Sequence, residues 1–202
     1  MEVWGMSRTA EIEVSFHGAR LCVPAHAAVT AWLKEAYENS EKQPVSEVPA
    51  VGEYWEGQGG VYAGFIRGES GAPGWHLIVP THPSATNDSI KWGPYNIDVG
   101  VASHTDGRAN TTALALLGDE YQAATWATNL EIEGHRDFYL PARRELALAE
   151  VNLADHFVKG WYWSSTQYSA DYAWSQYFGD GYQSSAHKGN PGRARAVRRL
   201  QF

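Results

Sequence analysis

The spacing of hydrophobic and polar positions changes several times along this 202-residue chain. "TAEIEVSF" (residues 9–16) and "ARLCV" (19–23) alternate with a period of two around His17 and Gly18. This predicts two short strands joined by a tight turn. Residues 25–41, "AHAAVTAWLKEAYENSE", place Ala28, Trp32 and Ala36 on one side of a helix. "SEKQPVSEVPA" (40–50) has two prolines and no period, so it reads as a linker. The expected organisation is an N-terminal hairpin-plus-helix extension over 1–48 and a second unit over 49–202.

In the second unit, "GGVYAGFIRG" and "WHLIVP" (ending at Pro80) read as paired strands. Residues 81–110 are irregular and loop-rich, although they hold Trp92 and Tyr95. "NTTALALLG" (110–118) reads as a helix with Asn110 as N-cap and Gly118 as stop, and "EYQAATWATNL" (120–130) as a second helix. "DFYLPARRELALAEVN" (137–152) reads as a short strand running through Pro141, at a first helical turn, into a third helix. The last forty residues hold strand candidates "GWYWSST", "AWSQYF", "YQSSAHK" and "RARAVRRL". Strands, two or three helices, then clustered antiparallel strands make an α+β arrangement.

The C-terminal hairpin is the informative element. Over 173–178, alternation places Trp174, Gln176 and Phe178 on one face and Ser175 and Tyr177 on the other. Gly179-Asp180-Gly181 is turn chemistry, and Tyr182 and Ser184 share a face of the returning strand. The expectation is a hairpin that buries Trp174 and Phe178 and presents Ser175, Tyr177, Tyr182 and Ser184 outward. The flanking "QYSAD" and "SSAHKGNPG" have the same small-polar and tyrosine character. Tyrosine gives a large contact area at low entropic cost, and Ser, Gly and Asp give adaptable hydrogen bonds. Composition alone admits two readings, a binding surface or an ordinary edge hairpin with polar turns.

Bulk composition narrows the classes. Apolar residues make up 44% of the chain, enough for a packed core. Nine Trp and eleven Tyr exceed what packing requires, and aromatics are enriched at binding surfaces. A formal charge of −7 argues against a general nucleic-acid binder. Cys22 is the sole cysteine, read as a small buried apolar residue; an intrachain disulfide and a Cys-rich metal site are excluded. The first twenty residues lack a basic start and an apolar core, and no run is long enough to span a bilayer. The expectation is synthesis in the cytoplasm without a signal peptide, with exposure on a virion or outside a cell by another route.

"DFYLPARRELALAEVN", "YWSST", "AWSQYF" with "DGYQ", and "RARAVRRL", in this order, resemble the Lcl C-terminal-domain family. The likeness covers about residues 50–202 and is nearest to variable proteins of diversity-generating retroelements, many of them phage-encoded receptor-binding proteins. It implies a C-type-lectin-like fold of the formylglycine-generating-enzyme-like subtype, with a variable region at about 162–199. In such systems a reverse transcriptase miscopies adenines, and AAC codons randomised at their first two positions cannot give Trp, Gln, Lys, Met or Glu. Tyr168, Ser169, Ala170, Asp171, Tyr172, Ser175, Tyr177, Gly179, Asp180, Tyr182, Ser184, Ser185, Ala186, His187, Gly189 and Asn190 all belong to the reachable set. Trp174, Gln176, Gln183 and Lys188 interrupt them and do not. The reachable positions are the candidate ligand-binding residues, with Tyr168, Tyr172, Tyr177 and Tyr182 as aromatic anchors.

The implied function is recognition of a protein or glycan on a cell surface. Residues 1–48 would attach the domain to a larger particle such as a tail fibre, or help it oligomerise. The alternatives are a fixed-specificity lectin-like adhesin, a structural particle component of the same fold, and an enzyme on this scaffold. The calcium-site triplets of sugar-binding lectins are absent; "QPV" (43–45) and "TND" (86–88) are poor substitutes. No nucleophile elbow or phosphate-cradling loop occurs, so neither a catalytic residue nor a cofactor is expected. His104 and Asp106 in "SHTDG" have metal-compatible spacing but fit a turn better. His135 and Asp137 read as loop and strand-entry chemistry, and Arg143, Arg144 and Glu145 as structural residues at a helix start. The arginines of "RARAVRR" are expected to pair with local acids or backbone carbonyls.

Overall fold

The structure is a computed structural model that describes residues 48–69 and 71–202, Thr30, and the backbone of residues 11–16 and 19–24. The chain divides into two compact units, Met1–Glu47 and Val48–Phe202. In the first, β1 (Glu11–Phe16) and β2 (Ala19–Pro24) pair antiparallel, with Phe16 opposite Ala19. This is the hairpin that the alternation predicts. The expected turn at His17 and Gly18, the helix over 25–41 (Thr30 apart), the burial of Cys22 and the "QPV" segment lie outside the described residues.

The second unit is α+β. Its four-stranded sheet has the order β11-β5-β4-β3, formed by Arg198–Leu200 (β11), Trp75–Pro80 (β5), Gly60–Ile66 (β4) and Tyr54–Trp55 (β3). Its five-stranded sheet has the order β6-β10-β7-β8-β9, formed by Thr86–Lys91 (β6), Pro191–Arg195 (β10), Gly160–Gln167 (β7), Tyr172–Phe178 (β8) and Gln183–His187 (β9). Three α-helices occur among the described residues: α1 (Gly107–Leu117), α2 (Gln122–Thr128) and α3 (Arg143–Leu153). One core joins Trp92, Leu114, Phe138, Leu140 and Trp163, and a second joins Leu77, Leu146, Leu153, Phe157, Tyr162 and Phe178.

Several boundaries differ from the sequence expectation. The N-cap of α1 is Asp106, whose Oδ1 accepts from Ala109 N at 2.9 Å; Asn110 lies buried inside the helix. Its amide is spent on Ser103 O and Ser165 Oγ. Pro141 precedes the Ala142 cap of α3 and stands outside its first turn. β6 falls inside the stretch expected to be irregular: "TNDSIK" lacks alternation, only Ile90 is buried on this strand, and it lies at the edge of its sheet. "RARAVRRL" is two strands, β10 and β11, in different sheets. The chain crosses between them at Ala196 and Val197, and Val197 bridges Tyr139. The strand pairings are antiparallel as expected, except that β10 pairs with β7 in parallel.

The short connection from β9 to β10 forces the five-stranded sheet to curl. β10 and β9 are three strand spacings apart, which is about 14 Å in a flat sheet. The link from His187 to Pro191 would cover that only if fully taut, at about 14 Å. Instead it folds into a turn, with Asn190 N donating to His187 O at 2.9 Å. The sheet bends to bring β9 and β10 towards each other, which leaves a concave face.

Candidate functional site

The concave face is built in cross-strand rows. Trp161, Tyr177 and Tyr182 form one row: Trp161 pairs with Tyr177, and Tyr177 N donates to Tyr182 O at 2.9 Å. The ring centroids of Trp161 and Tyr177 are 5.3 Å apart, and those of Trp161 and Tyr182 are 6.1 Å apart. Trp163, Ser175 and Ser184 form the next row. Trp163 is immobilised by donating Nε1 to Ile90 O at 3.0 Å. Gly192 approaches that indole so closely that a Cβ there would lie 2.6 Å from Nε1. Between β9 and the start of β10 these rows enclose an open cavity of about 210 Å³, lined by Trp161, Trp163, Ser175, Ala186, Asn190 and Gly192 among others. A smaller recess of about 140 Å³ adjoins it, along Trp161, Ser175, Ser184 and Ser185.

The hairpin's turn follows from its sequence. Asp180 Oδ1 accepts from Tyr182 N at 3.0 Å, and Gly181 has φ of 75°, a region that favours glycine. Tyr182 and Trp161 are consequently held exposed on one side of the hairpin, with 41% of Trp161 open to solvent.

A second aromatic group occupies the other face of β8. Tyr172 lies opposite His187, and the His187 ring meets both Tyr172 and Tyr95. Tyr168 packs edge-on against Trp174 at 5.0 Å. Arg143 lies 3.6 Å over the Trp174 ring, while its Nε donates to Gln183 Oε1 at 2.6 Å. Gln183 Nε2 in turn donates to Arg143 O and to Gln176 Oε1. His104 stands beside Trp174. Burial, and after it the guanidinium groups of Arg143 and Arg144, hold its imidazole below its ordinary pKa, against the opposing pull of Glu69.

The candidate residues therefore do not form one patch. Tyr177 and Tyr182 stand on the concave face with Trp161, whereas Tyr172 is of opposite parity on the strand and stands with His187. Tyr168 is tied to this second group by Tyr168 N donating to Tyr172 O at 2.9 Å. The expected inward and outward sets also change. Trp174 is half-buried beneath Arg143, outside the core. Ser175 is only 5% exposed; it forms the cavity floor, with Oγ donating to Ser184 O at 3.2 Å. Phe178 and Gln176 are buried as expected. Apart from Ser175, every candidate position is at least partly exposed: Tyr168, Ser169, Ala170, Asp171, Tyr172, Tyr177, Gly179, Asp180, Tyr182, Ser184, Ser185, Ala186, His187, Gly189 and Asn190.

The residues that interrupt the candidate set are bound into the scaffold. Lys188 is fully buried. Its Nζ donates to Ile97 O at 2.9 Å and to Ala170 O at 2.8 Å, and lies 4.9 Å from the Trp92 ring centroid. Burial lowers its pKa to about 8, against the opposing pull of Asp98 and Asp171. Gln176, Gln183 and Trp174 are joined through Arg143 as described.

The candidates discounted in the sequence are engaged elsewhere. Asp106 caps α1 and pairs with Arg199 at 2.9 Å. Asp137 pairs with Arg198 at 3.0 Å, and Arg193 pairs with Asp88 at 2.9 Å. Arg195 donates to Thr86 Oγ1 and Pro80 O. Among the described residues no cluster of His, Cys, Asp and Glu could hold a metal ion, and no helix is long and apolar enough to cross a membrane.

Sequence reasoning passed over Trp161 and Tyr95. Trp161 and Trp163 are two apart in β7, so alternation places them on one face; what was missing was the β7–β8 register that sets Trp161 against Tyr177. Tyr95 lies on a loop without period and reaches the site through the His187 ring, a contact that no local pattern signals. Compared with known proteins, the chain matches no family model and no curated sequence.

Proposed function

We propose that the second unit is a ligand-recognition domain, not an enzyme, which displays the surface of residues 168–190 on a C-type-lectin-like scaffold. The observation that carries this reading is a partition. Positions of small, polar and tyrosine character are at least partly exposed, Ser175 excepted, while Gln176, Gln183, Lys188 and Trp174 among them are held by partly buried hydrogen bonds or a stacked guanidinium. A surface divided in this way changes its chemistry without disturbing its support. That is what a variable protein of a diversity-generating retroelement requires, and the resemblance of residues 50–202 points to that class. The ligand is a protein or glycan on a cell surface, and residues 1–48 serve as the attachment to a larger particle.

The test is binding of the labelled full chain to a panel of intact cells. The expected result is selective binding that Tyr177→Ala and Tyr182→Ala abolish with the melting curve retained. Leu116→Ser, at an exposed site on α1, leaves binding unchanged. Binding that survives both tyrosine substitutions would instead favour a structural particle component. DNA flanking the gene's 3′ end separates a diversified protein from a fixed-specificity adhesin: an adenine-rich near-copy beside a reverse transcriptase supports the former.

A further inference from the structure

The cavity on the concave face has three properties that together define a ligand. It is walled by indole rings, Trp161 being open to solvent and Trp163 locked. None of its lining residues is charged, and neither are those of the adjoining recess. Polar groups with no partner within the protein among the described residues stand at its edge, namely the side-chain amide of Asn190 and, in the adjoining recess on the same face, the hydroxyl of Ser184. Its volume of about 210 Å³ falls below the roughly 300–1,000 Å³ of sites for drug-sized ligands, so it admits a single ring.

A charged ligand would enter without a counter-charge, at a desolvation cost that nothing in the lining offsets. A purely apolar ring would use the indoles but leave the Ser184 hydroxyl and the Asn190 amide without a role. A neutral ring with C–H faces and hydroxyl edges uses both. Its flat face lies on Trp161, and its equatorial hydroxyls reach Ser184 and Asn190. We propose that this cavity binds one uncharged pyranose unit of a glycan, held by stacking and direct hydrogen bonds without a bound metal. This rests on the recognition reading above and names the ligand class of the concave half of that surface.

The test is saturation-transfer NMR on the full chain with methyl glucosides, galactosides, mannosides and N-acetylglucosaminides, in the presence of a calcium chelator. At least one pyranoside is expected to receive saturation at its ring C–H protons. Trp161→Ala should weaken its binding about tenfold or more, Trp161→Phe should retain part of the affinity, and Leu116→Ser should have no effect. The proposal is overturned if no pyranoside receives saturation, if transfer survives Trp161→Ala, or if it requires calcium. It is also overturned if N-acetyltryptophanamide occupies the cavity where the pyranosides do not, since the groove would then accept an aromatic side chain of a protein. Selective cell binding without any pyranoside signal removes this proposal and leaves the recognition reading standing, whereas failure of both removes both.

Discussion

The start of α3 and the β8–β9 hairpin solve opposite problems with polar residues. At α3, Glu145 is 0% exposed and saturated. Its Oε1 accepts from Tyr139 Oη at 2.7 Å and Trp75 Nε1 at 2.9 Å, and its Oε2 accepts from Ala142 N at 2.7 Å and Gly107 N at 3.1 Å. One carboxylate thus joins β5, the caps of α1 and α3, and the Tyr139 bridge to Val197. In the hairpin and the turn that follows it, Ser184 and Asn190 leave their side chains unpaired beside the cavity. A strongly shifted titrating group often marks a functional site. Here the shifted carboxyl is sealed from any substrate and marks a structural junction, while the accessible cavity is lined by uncharged residues.

The largest effect should come from breaking the junction. Glu145→Ala leaves four donors without their acceptor, two of them backbone N–H groups, and is expected to cost about 4 kcal/mol in denaturant unfolding. Loss of less than about 1 kcal/mol would show that water or a neighbour satisfies those donors, and the contrast with the hairpin would weaken.

The same carboxyl gives a pH signature. Burial outweighs its hydrogen bonds and raises its pKa from 4.5 to about 7. The folded state then holds this proton more tightly than the unfolded state. The associated stability is fully present below about pH 4.5 and is lost as pH rises through about 7, a change on the order of 3 kcal/mol. Comparing unfolding free energies at pH 5 and pH 8 for the wild type and Glu145→Gln isolates the contribution: the slope should be absent in the variant.

Lys188 tests whether the hairpin's support is distinct from its display. Lys188→Ala strands the carbonyl of Ile97, leaves that of Ala170 with Ile97 N alone, and removes the cation from the Trp92 face, an expected loss of about 2 kcal/mol. If Lys188→Ala unfolds no more readily than a substitution at the neighbouring exposed Asn190, the partition proposed for this surface is wrong.

These two regions were unequally legible in the sequence. The α+β class, the helices near 110–118 and 143–153, and the β8–β9 hairpin with its Gly-Asp-Gly turn follow from local period and turn chemistry. Glu145 was recognisable only as a residue at a helix start. Its partners Trp75 and Gly107 are far along the chain, and no period links them. "YWSST" carries a similar hidden role. Ser164, Ser165 and Thr166 are three polar residues in succession, yet they are buried: Ser164 O accepts from Trp92 Nε1, Ser165 N donates to Pro141 O, and Thr166 Oγ1 donates to Ser103 O. Between Trp163 and Gln167 four steps of β7 face only two of β8, and the alternation rule has no way to register the two extra residues. The division of the four tyrosines between two faces was, by contrast, available from parity alone. Tyr172 and Tyr177 are an odd number of residues apart in one strand, so they cannot share a side.

The smallest effects belong to the display itself, and they sharpen the comparison most. Gly181→Ala forces a Cβ onto a residue at φ of 75°, close to Glu150, and is expected to cost about 1 kcal/mol by straining the turn. Tyr182→Ala removes a ring that is 63% exposed and meets the Trp161 ring, so unfolding should change by about 0.5 kcal/mol or less. The pair separates the backbone that shapes the hairpin from the side chain it presents. If Tyr182→Ala destabilises as much as Gly181→Ala, the aromatic row of Trp161, Tyr177 and Tyr182 is holding the sheet together. Its tyrosines would then be structural, and the surface would have far less freedom to vary. If Tyr182→Ala is silent in unfolding yet abolishes cell binding, stability and recognition are carried by different atoms of the same hairpin.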